Sequence, residues 1–172
     1  MTTLYGHSNY VTCILKWPRS QIVISGSADQ TLKVWCTTTN KCLRTLFGHT
    51  SSITNLLLLS SSSLPSPYDE LVSCSCDGEI RVWSVSLGLC LTSVQGRVRN
   101  ISNLLFSWHT TNEMVGTSCS LNESLIKVWS LSSKTNKQTC TNAPMSNDSC
   151  VKTFTGHTRE VKCLTYLNEL SV

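Results

Sequence analysis

The sequence predicts an all-β fold laid out as an arc of small antiparallel sheets, and three observations carry that prediction. An aliphatic-basic-Val-Trp tetrapeptide recurs as Leu32-Lys33-Val34-Trp35, Ile80-Arg81-Val82-Trp83 and Ile126-Lys127-Val128-Trp129, at intervals of 48 and 46 residues. A cluster of small residues precedes each copy: Ser25-Gly26-Ser27-Ala28-Asp29, Ser73-Cys74-Ser75-Cys76-Asp77 and Ser118-Cys119-Ser120-Leu121-Asn122. A Gly-His dipeptide stands three residues ahead of an apolar run at Gly6-His7, Gly48-His49 and Gly156-His157. The signals keep one order, so they mark a repeated structural unit.

Each unit divides into short strand candidates. In the first, residues 11–15, 21–25, 31–35 and 41–47 are rich in Val, Ile, Leu and Thr and are separated by Trp17-Pro18-Arg19-Ser20, Asp29-Gln30 and residues 37–40. Runs of this length between Pro, Gly, Asn and Ser read as strands and turns, with no room for a helix. The second unit offers strands at 52–59, 70–75, 79–85 and 90–94, and the third at 100–107, 113–118, 125–131 and 151–155. A fourth opens with residues 160–167 and lacks a tryptophan. Ser- and Pro-rich residues 60–67, and residues 132–149, rich in Ser, Thr, Asn and Lys, are expected to be flexible inserts.

A repeat of about 40 to 45 residues per four strands selects a β-propeller of four-stranded antiparallel blades from the other all-β folds. The expected organisation is one partial propeller over residues 1–172, with repeats at about 6–47, 48–94, 95–155 and 156–172. Propellers close with at least four blades. Three full repeats and the start of a fourth therefore predict a piece of a longer ring, or an arc that further blades, a second copy or another protein would complete.

Composition narrows the function. Charged residues make up only 14% of 172, and the net charge of +4 is spread singly along the strands, so no basic stripe points to nucleic acid. The longest aliphatic stretch, residues 56–59, falls far short of a membrane span, and the start lacks a secretory signal. Most of the ten cysteines sit in apolar runs, as Cys13, Cys74, Cys119 and Cys163 do, and read as reduced core thiols of a cytoplasmic or nuclear protein. There is no His or Cys pair at metal spacing, no phosphate-binding glycine loop and no Gly-x-Ser-x-Gly elbow, so neither metal nor cofactor is expected.

Gly-His near the start of a unit and Trp near its end, over nearly the whole chain, resemble the WD-repeat proteins. The resemblance implies a hydrogen-bond network bracing each blade: His7, Ser25 or Ser27, Asp29 and Trp35 in the first unit, and His49, Ser73 or Ser75, Asp77 and Trp83 in the second. The third unit keeps Trp129, but has Arg97 in place of the histidine and Asn122 in place of the acid; the fourth begins at His157. Where the family prefers Asp after the Trp, this chain has Cys36, Ser84 and Ser130. His, Asp and Ser also make a hydrolytic triad, but a set that recurs with the fold period reads as structural.

The resemblance further implies an interaction scaffold or adaptor without catalytic activity. The alternative is a regulatory or substrate-recognition propeller attached to a catalytic domain in a longer protein. Protein or peptide partners are expected on the rim formed by the residues before each innermost strand, Tyr10, Ser52, Asn100 and Glu160, and before each turn acid, Ala28, Cys76 and Leu121. Arg97 and Arg99 form the one local basic cluster, suited to an acidic or phosphorylated segment.

Overall fold

Alternating apolar and polar residues between turn signals fold here into hairpins. The computed structural model describes residues 3–18, 20–59, 70–95, 116–120, 123–129, 150–156 and 158–159. Eleven strands and no helix occur among them: β1 (Val11–Lys16), β2 (Ile22–Ser27), β3 (Leu32–Cys36), β4 (Lys41–Leu46), β5 (Ile53–Leu59), β6 (Glu70–Ser75), β7 (Glu79–Ser84), β8 (Leu89–Gln95), β9 (Gly116–Ser120), β10 (Glu123–Trp129) and β11 (Cys150–Phe154). Four consecutive strands make each of the first two sheets, in the orders β1-β2-β3-β4 and β5-β6-β7-β8, and every neighbouring pair is antiparallel. A third sheet has the order β11-β10-β9.

In the first two sheets the strands start and stop within about two residues of the positions expected from sequence. The third differs. Its strands run two residues further toward each other than expected, β9 to Ser120 rather than 118 and β10 from Glu123 rather than 125. A shift of register lies between Glu123 and Lys127, and beyond it Trp129 pairs with Gly116 as Trp35 pairs with Val23. The expected inserts at 60–67 and 132–149, and the strands at 100–107 and 160–167, lie outside the described residues.

The core lies between the first and second sheets. Ile24, Leu32, Val34 and Leu46 from one sheet meet Ile53, Leu56, Leu71, Trp83 and Val85 from the other, flanked by Cys13, Leu15 and Trp17. Each fully buried Leu or Ile stabilises the stack by roughly 1.5–3 kcal/mol. Gly26 allows the sheets to approach: a Cβ there would come within 2.5 Å of Ile53 Cγ2 and 2.7 Å of Cys13 Sγ. Val72, Cys74, Ile80 and Val82, on the opposite side of the second sheet, are also buried. On the other side of the first sheet Trp35, Ser25 and Ser27 are buried, while Val11 and Ile14 are exposed. Its strand β1 is largely exposed, whereas the equivalent strand β5 is not.

Candidate functional site

At one end of each of the first two sheets the Gly-His dipeptide reaches back to the turn that joins the second and third strands. His7 Nδ1 lies 2.7 Å from Asp29 Oδ2, and His7 Nε2 lies 2.7 Å from Ser25 Oγ. Trp35 Nε1 donates to that same hydroxyl at 2.8 Å. The second repeat repeats the chain: His49 Nδ1 to Asp77 Oδ2 at 2.8 Å, His49 Nε2 to Ser73 Oγ at 2.8 Å, and Trp83 Nε1 to Ser73 Oγ at 2.8 Å. One proton arrangement satisfies every group: indole N–H to serine oxygen, serine O–H to imidazole Nε2, imidazole Nδ1–H to carboxylate. The glycine before each histidine leaves room for the indole, since a Cβ on Gly6 or Gly48 would stand 3.0 Å or 3.2 Å from the ring's Cη2.

The sequence left two serines open in each repeat, and the structure gives them different tasks. Ser25 and Ser73 join histidine to tryptophan. Ser27 and Ser75 hold the turn: Ser27 Oγ donates to Tyr10 O at 3.0 Å and accepts from Asp29 N at 3.0 Å, while Ser75 Oγ donates to Ser51 O at 3.0 Å and accepts from Asp77 N at 3.2 Å. Alternation explains the division, because residues two apart on a strand share a face and the second of each pair sits at its end, beside the loop.

Burial opposes ionisation of Asp29, but the Thr31 hydroxyl at 2.6 Å, the His7 ring and the backbone N–H groups of Thr31 and Ser8 outweigh it and hold the carboxyl far below the usual range. Asp77 is likewise raised by burial and lowered more strongly by His49 and by the backbone of Thr50 and Glu79, to about 2. Both are therefore carboxylates at neutral pH, anchored by several donors each.

The Ser-His-Asp distances match those of a hydrolytic triad, yet the chemistry runs the other way. Ser25 and Ser73 are buried, and each hydroxyl oxygen already accepts an indole N–H, which withdraws electron density from the atom that would attack. The neighbouring thiols offer no substitute nucleophile. Burial raises the pKa of Cys76, helped by the Asp77 charge, and pushes Cys74 up to about 12.

The rim positions meet in pairs. Ala28 N donates to Tyr10 O at 3.0 Å, and Cys76 N donates to Ser52 O at 2.9 Å. Tyr10 is exposed, while Ala28, Ser52 and Cys76 are half-buried. A tyrosine ring on a rigid turn thus projects from the end of the first sheet, and a shorter serine holds its place on the second.

Residues 1–36 and 40–84 match the family model "WD domain, G-beta repeat". These two stretches are WD repeats. The second matched stretch takes in β4, the outer strand of the first blade, and then β5 to β7, the inner strands of the next, so a WD repeat in sequence is offset by one strand from a blade in space. The chain is 50% identical to the F-box/WD repeat-containing protein 7 of Drosophila melanogaster over 50 residues, 29% of this chain and 4% of that protein. It is 26% identical to the mouse pre-mRNA-processing factor 19 over 136 residues, 79% of this chain and 25% of that protein. The chain thus spans at most about a quarter of the length of these relatives.

Among solved structures, the computationally designed Ika4 protein is 29% identical, with a TM-score of 0.67 over 96% of this chain and 85% of that one. The designed Ika8 protein matches with the same identity and TM-score over 96% of this chain and 43% of its own.

Two groups were missed in the sequence, one in each WD repeat. In the second repeat Glu79 and Arg81 pair, with Arg81 Nε donating to Glu79 Oε2 at 2.7 Å, and the guanidinium stands 6.0 Å from the centre of the Trp83 ring. Their spacing of two along one strand was the available signal. His49, Asp77 and Glu79 lie close enough to suggest a cation site. Both nitrogens of His49 are already paired with Asp77 and Ser73, and Glu79 is paired with Arg81, so this donor set is spent within the protein. The other missed group is Thr31, whose hydroxyl braces Asp29 in the first repeat. His157, Arg97, Arg99, Asn100, Leu121 and Glu160 lie outside the described residues, as does the side chain of Trp129.

Proposed function

We propose that this chain is a non-catalytic protein-protein interaction module that presents a rigid rim to a protein or peptide partner. The observation that carries this reading is the pairing of Tyr10 with Ala28 and of Ser52 with Cys76 at the end of the sheets where histidine and aspartate tie loop to turn. A rim fixed by charge-assisted hydrogen bonds loses little conformational freedom on binding, which favours affinity. Tyrosine suits such a place because it brings a large, stiff, amphipathic surface. Two similar proteins, the fly F-box/WD repeat-containing protein 7 and an F-box protein of Saccharomyces cerevisiae, carry an F-box in their names, which favours an adaptor attached to further domains. The free thiols at Cys13, Cys36, Cys42 and Cys76, among the described residues, fit a reducing compartment, cytoplasm or nucleus.

A photo-crosslinking residue placed at Tyr10 or Ser52 is expected to capture a partner from cell extract, and Tyr10→Ala is expected to abolish its co-purification. Capture only from the opposite end of the sheets, around Thr38 and Asn40, would overturn the reading.

A further inference from the structure

The turn that joins β3 to β4 and the turn that joins β7 to β8 have the same length but present different surfaces. Counted from Trp35 and from Trp83, Thr39, Asn40 and Lys41 stand where the second sheet has Leu87, Gly88 and Leu89. Asn40 and Gly88 both take left-handed backbone, with φ of 56° and 72°, so either residue makes the turn. The polar residues of the first turn show that the leucines of the second are not needed to form it. Nor are they buried: Leu87 is 64% exposed and Leu89 is 58% exposed.

A cation reaches this second turn from the neighbouring sheet. Arg44, on the edge strand β4, lays its side chain along Gly88, where a Cβ would stand 3.2 Å from Nη1 and 3.5 Å from Cδ. Glycine there leaves room for the guanidinium. Arg81 is closed by Glu79, whereas no carboxylate among the described residues pairs with Arg44 or with the exposed Lys41 nearby. Leu43, next to Arg44, is the extra residue of a bulge opposite Val34 and Trp35, and it is 53% exposed. An unpaired guanidinium therefore lies in a cleft between two packed sheets, with an exposed leucine on the β4 side and two on the turn side.

We propose that this cleft is a second docking surface, at the end of the sheets away from the rim and independent of it, and that its occupant is a segment of a partner protein carrying a carboxylate side chain between apolar residues. The charge and the leucines together select that chemistry. A guanidinium backed by a turn offers a fixed fork of donors to a carboxylate. A wholly apolar segment would cover Arg44 without pairing it, and a buried unpaired charge is costly. An acidic segment without apolar residues would gain only an exposed ion pair, which contributes little. Acid and apolar residues side by side fill the cleft, because contact with Leu43, Leu87 and Leu89 shields the ion pair from water.

A displayed library of short random peptides, selected on the intact protein and depleted on its Arg44→Glu variant, tests this. The surviving peptides are expected to carry Asp or Glu flanked by Leu, Ile or Phe. Their affinity, measured by fluorescence polarisation, is expected to fall roughly tenfold with Arg44→Gln. The double variant Leu87→Thr with Leu89→Thr, which gives the turn the polar character of its counterpart, is expected to cost a similar factor. Arg44→Lys keeps the charge without the fork and should fall between wild type and Arg44→Gln. Circular dichroism and urea midpoints like those of the wild type show that each variant folds; Arg44→Gln serves for depletion if Arg44→Glu does not. No peptide surviving the depletion, survivors without an acid, or affinity indifferent to the leucine changes would each overturn the proposal. Loss of binding with Tyr10→Ala would place the contact on the rim and overturn it too.

Discussion

The first and second WD repeats carry nearly the same hydrogen-bond chain in different surroundings. His7, Asp29, Ser25 and Trp35 match His49, Asp77, Ser73 and Trp83 bond for bond, each within about 0.1 Å. Yet the second set lies beneath a neighbouring sheet, while the first borders an open groove. The geometry of the brace is thus written into each repeat by itself, whereas its burial depends on the blade next door. Stability and local order should separate along that line.

The largest difference is expected at the indoles. Trp83 belongs to the core between the sheets, so Trp83→Ala should cost about 3–5 kcal/mol through lost burial and the cavity left behind. Trp35 floors the groove, where solvent or a rearranged loop can fill the space, and Trp35→Ala should cost roughly half as much. Urea unfolding followed by circular dichroism measures both; equal losses would mean that the groove is closed in solution.

Serine removal comes next. Ser73→Ala leaves the Trp83 N–H and His49 Nε2 without their shared partner inside the core, at about 1–3 kcal/mol. In Ser25→Ala water from the groove can reach the same atoms, so a loss nearer 1 kcal/mol is expected. The unfolding midpoints of the two variants rank the repeats, and a reversed order would contradict the difference in burial.

Acid probes the carboxylates. Asp77 has a folded pKa of about 2, below the value of about 4 in an unfolded chain. Its contribution to stability is therefore complete above about pH 4 and is lost as pH falls toward 2. Asp29 is shifted in the same direction, so both repeats should weaken over this window. Asp77→Asn should flatten the fall in urea midpoint between pH 4 and pH 2; an unchanged slope would place the acid sensitivity elsewhere.

These comparisons also show what could be read from the chain before its structure. Strands β1 to β8 were legible because apolar alternation, turn residues and the Val-Trp tetrapeptides all agree in the first two units. The partners of His7 and His49 were implied by the resemblance to WD-repeat proteins that the ordered repeats carry. What local pattern could not supply was the choice between Ser25 and Ser27, because both lie on the same side of β2 and only the distance to the indole separates them. Nor could it reveal the groove: Val11 and Ile14 sit in the same kind of apolar run as Ile53 and Leu56, yet they are exposed where those are buried. In the third unit β9 and β10 each run two residues further toward their turn than expected, past a register shift between Glu123 and Lys127 that no turn signal marks.

The smallest effect sits in the turn itself. Gln30 and Gly78 occupy the same place, one after the braced aspartate, and both have left-handed backbone, with φ of 72° and 84°. A side chain in that conformation costs about 1–2 kcal/mol, and glycine avoids the cost but loses about 0.5–1 kcal/mol through its more flexible unfolded state. Gln30→Gly should therefore stabilise the first blade by about 0.5–1 kcal/mol, and Gly78→Gln should destabilise the second by a similar amount. Because Gln30 N and Gly78 N both donate to the serine carbonyl three residues back, at 3.2 and 3.1 Å, the exchange leaves the turn's hydrogen bond in place and isolates the backbone term. Thermal midpoints that move in opposite directions would show that the two repeats differ in how well each residue suits its turn while sharing the turn itself; a fall in both would mean that the Gln30 side chain makes a contact outweighing its strain.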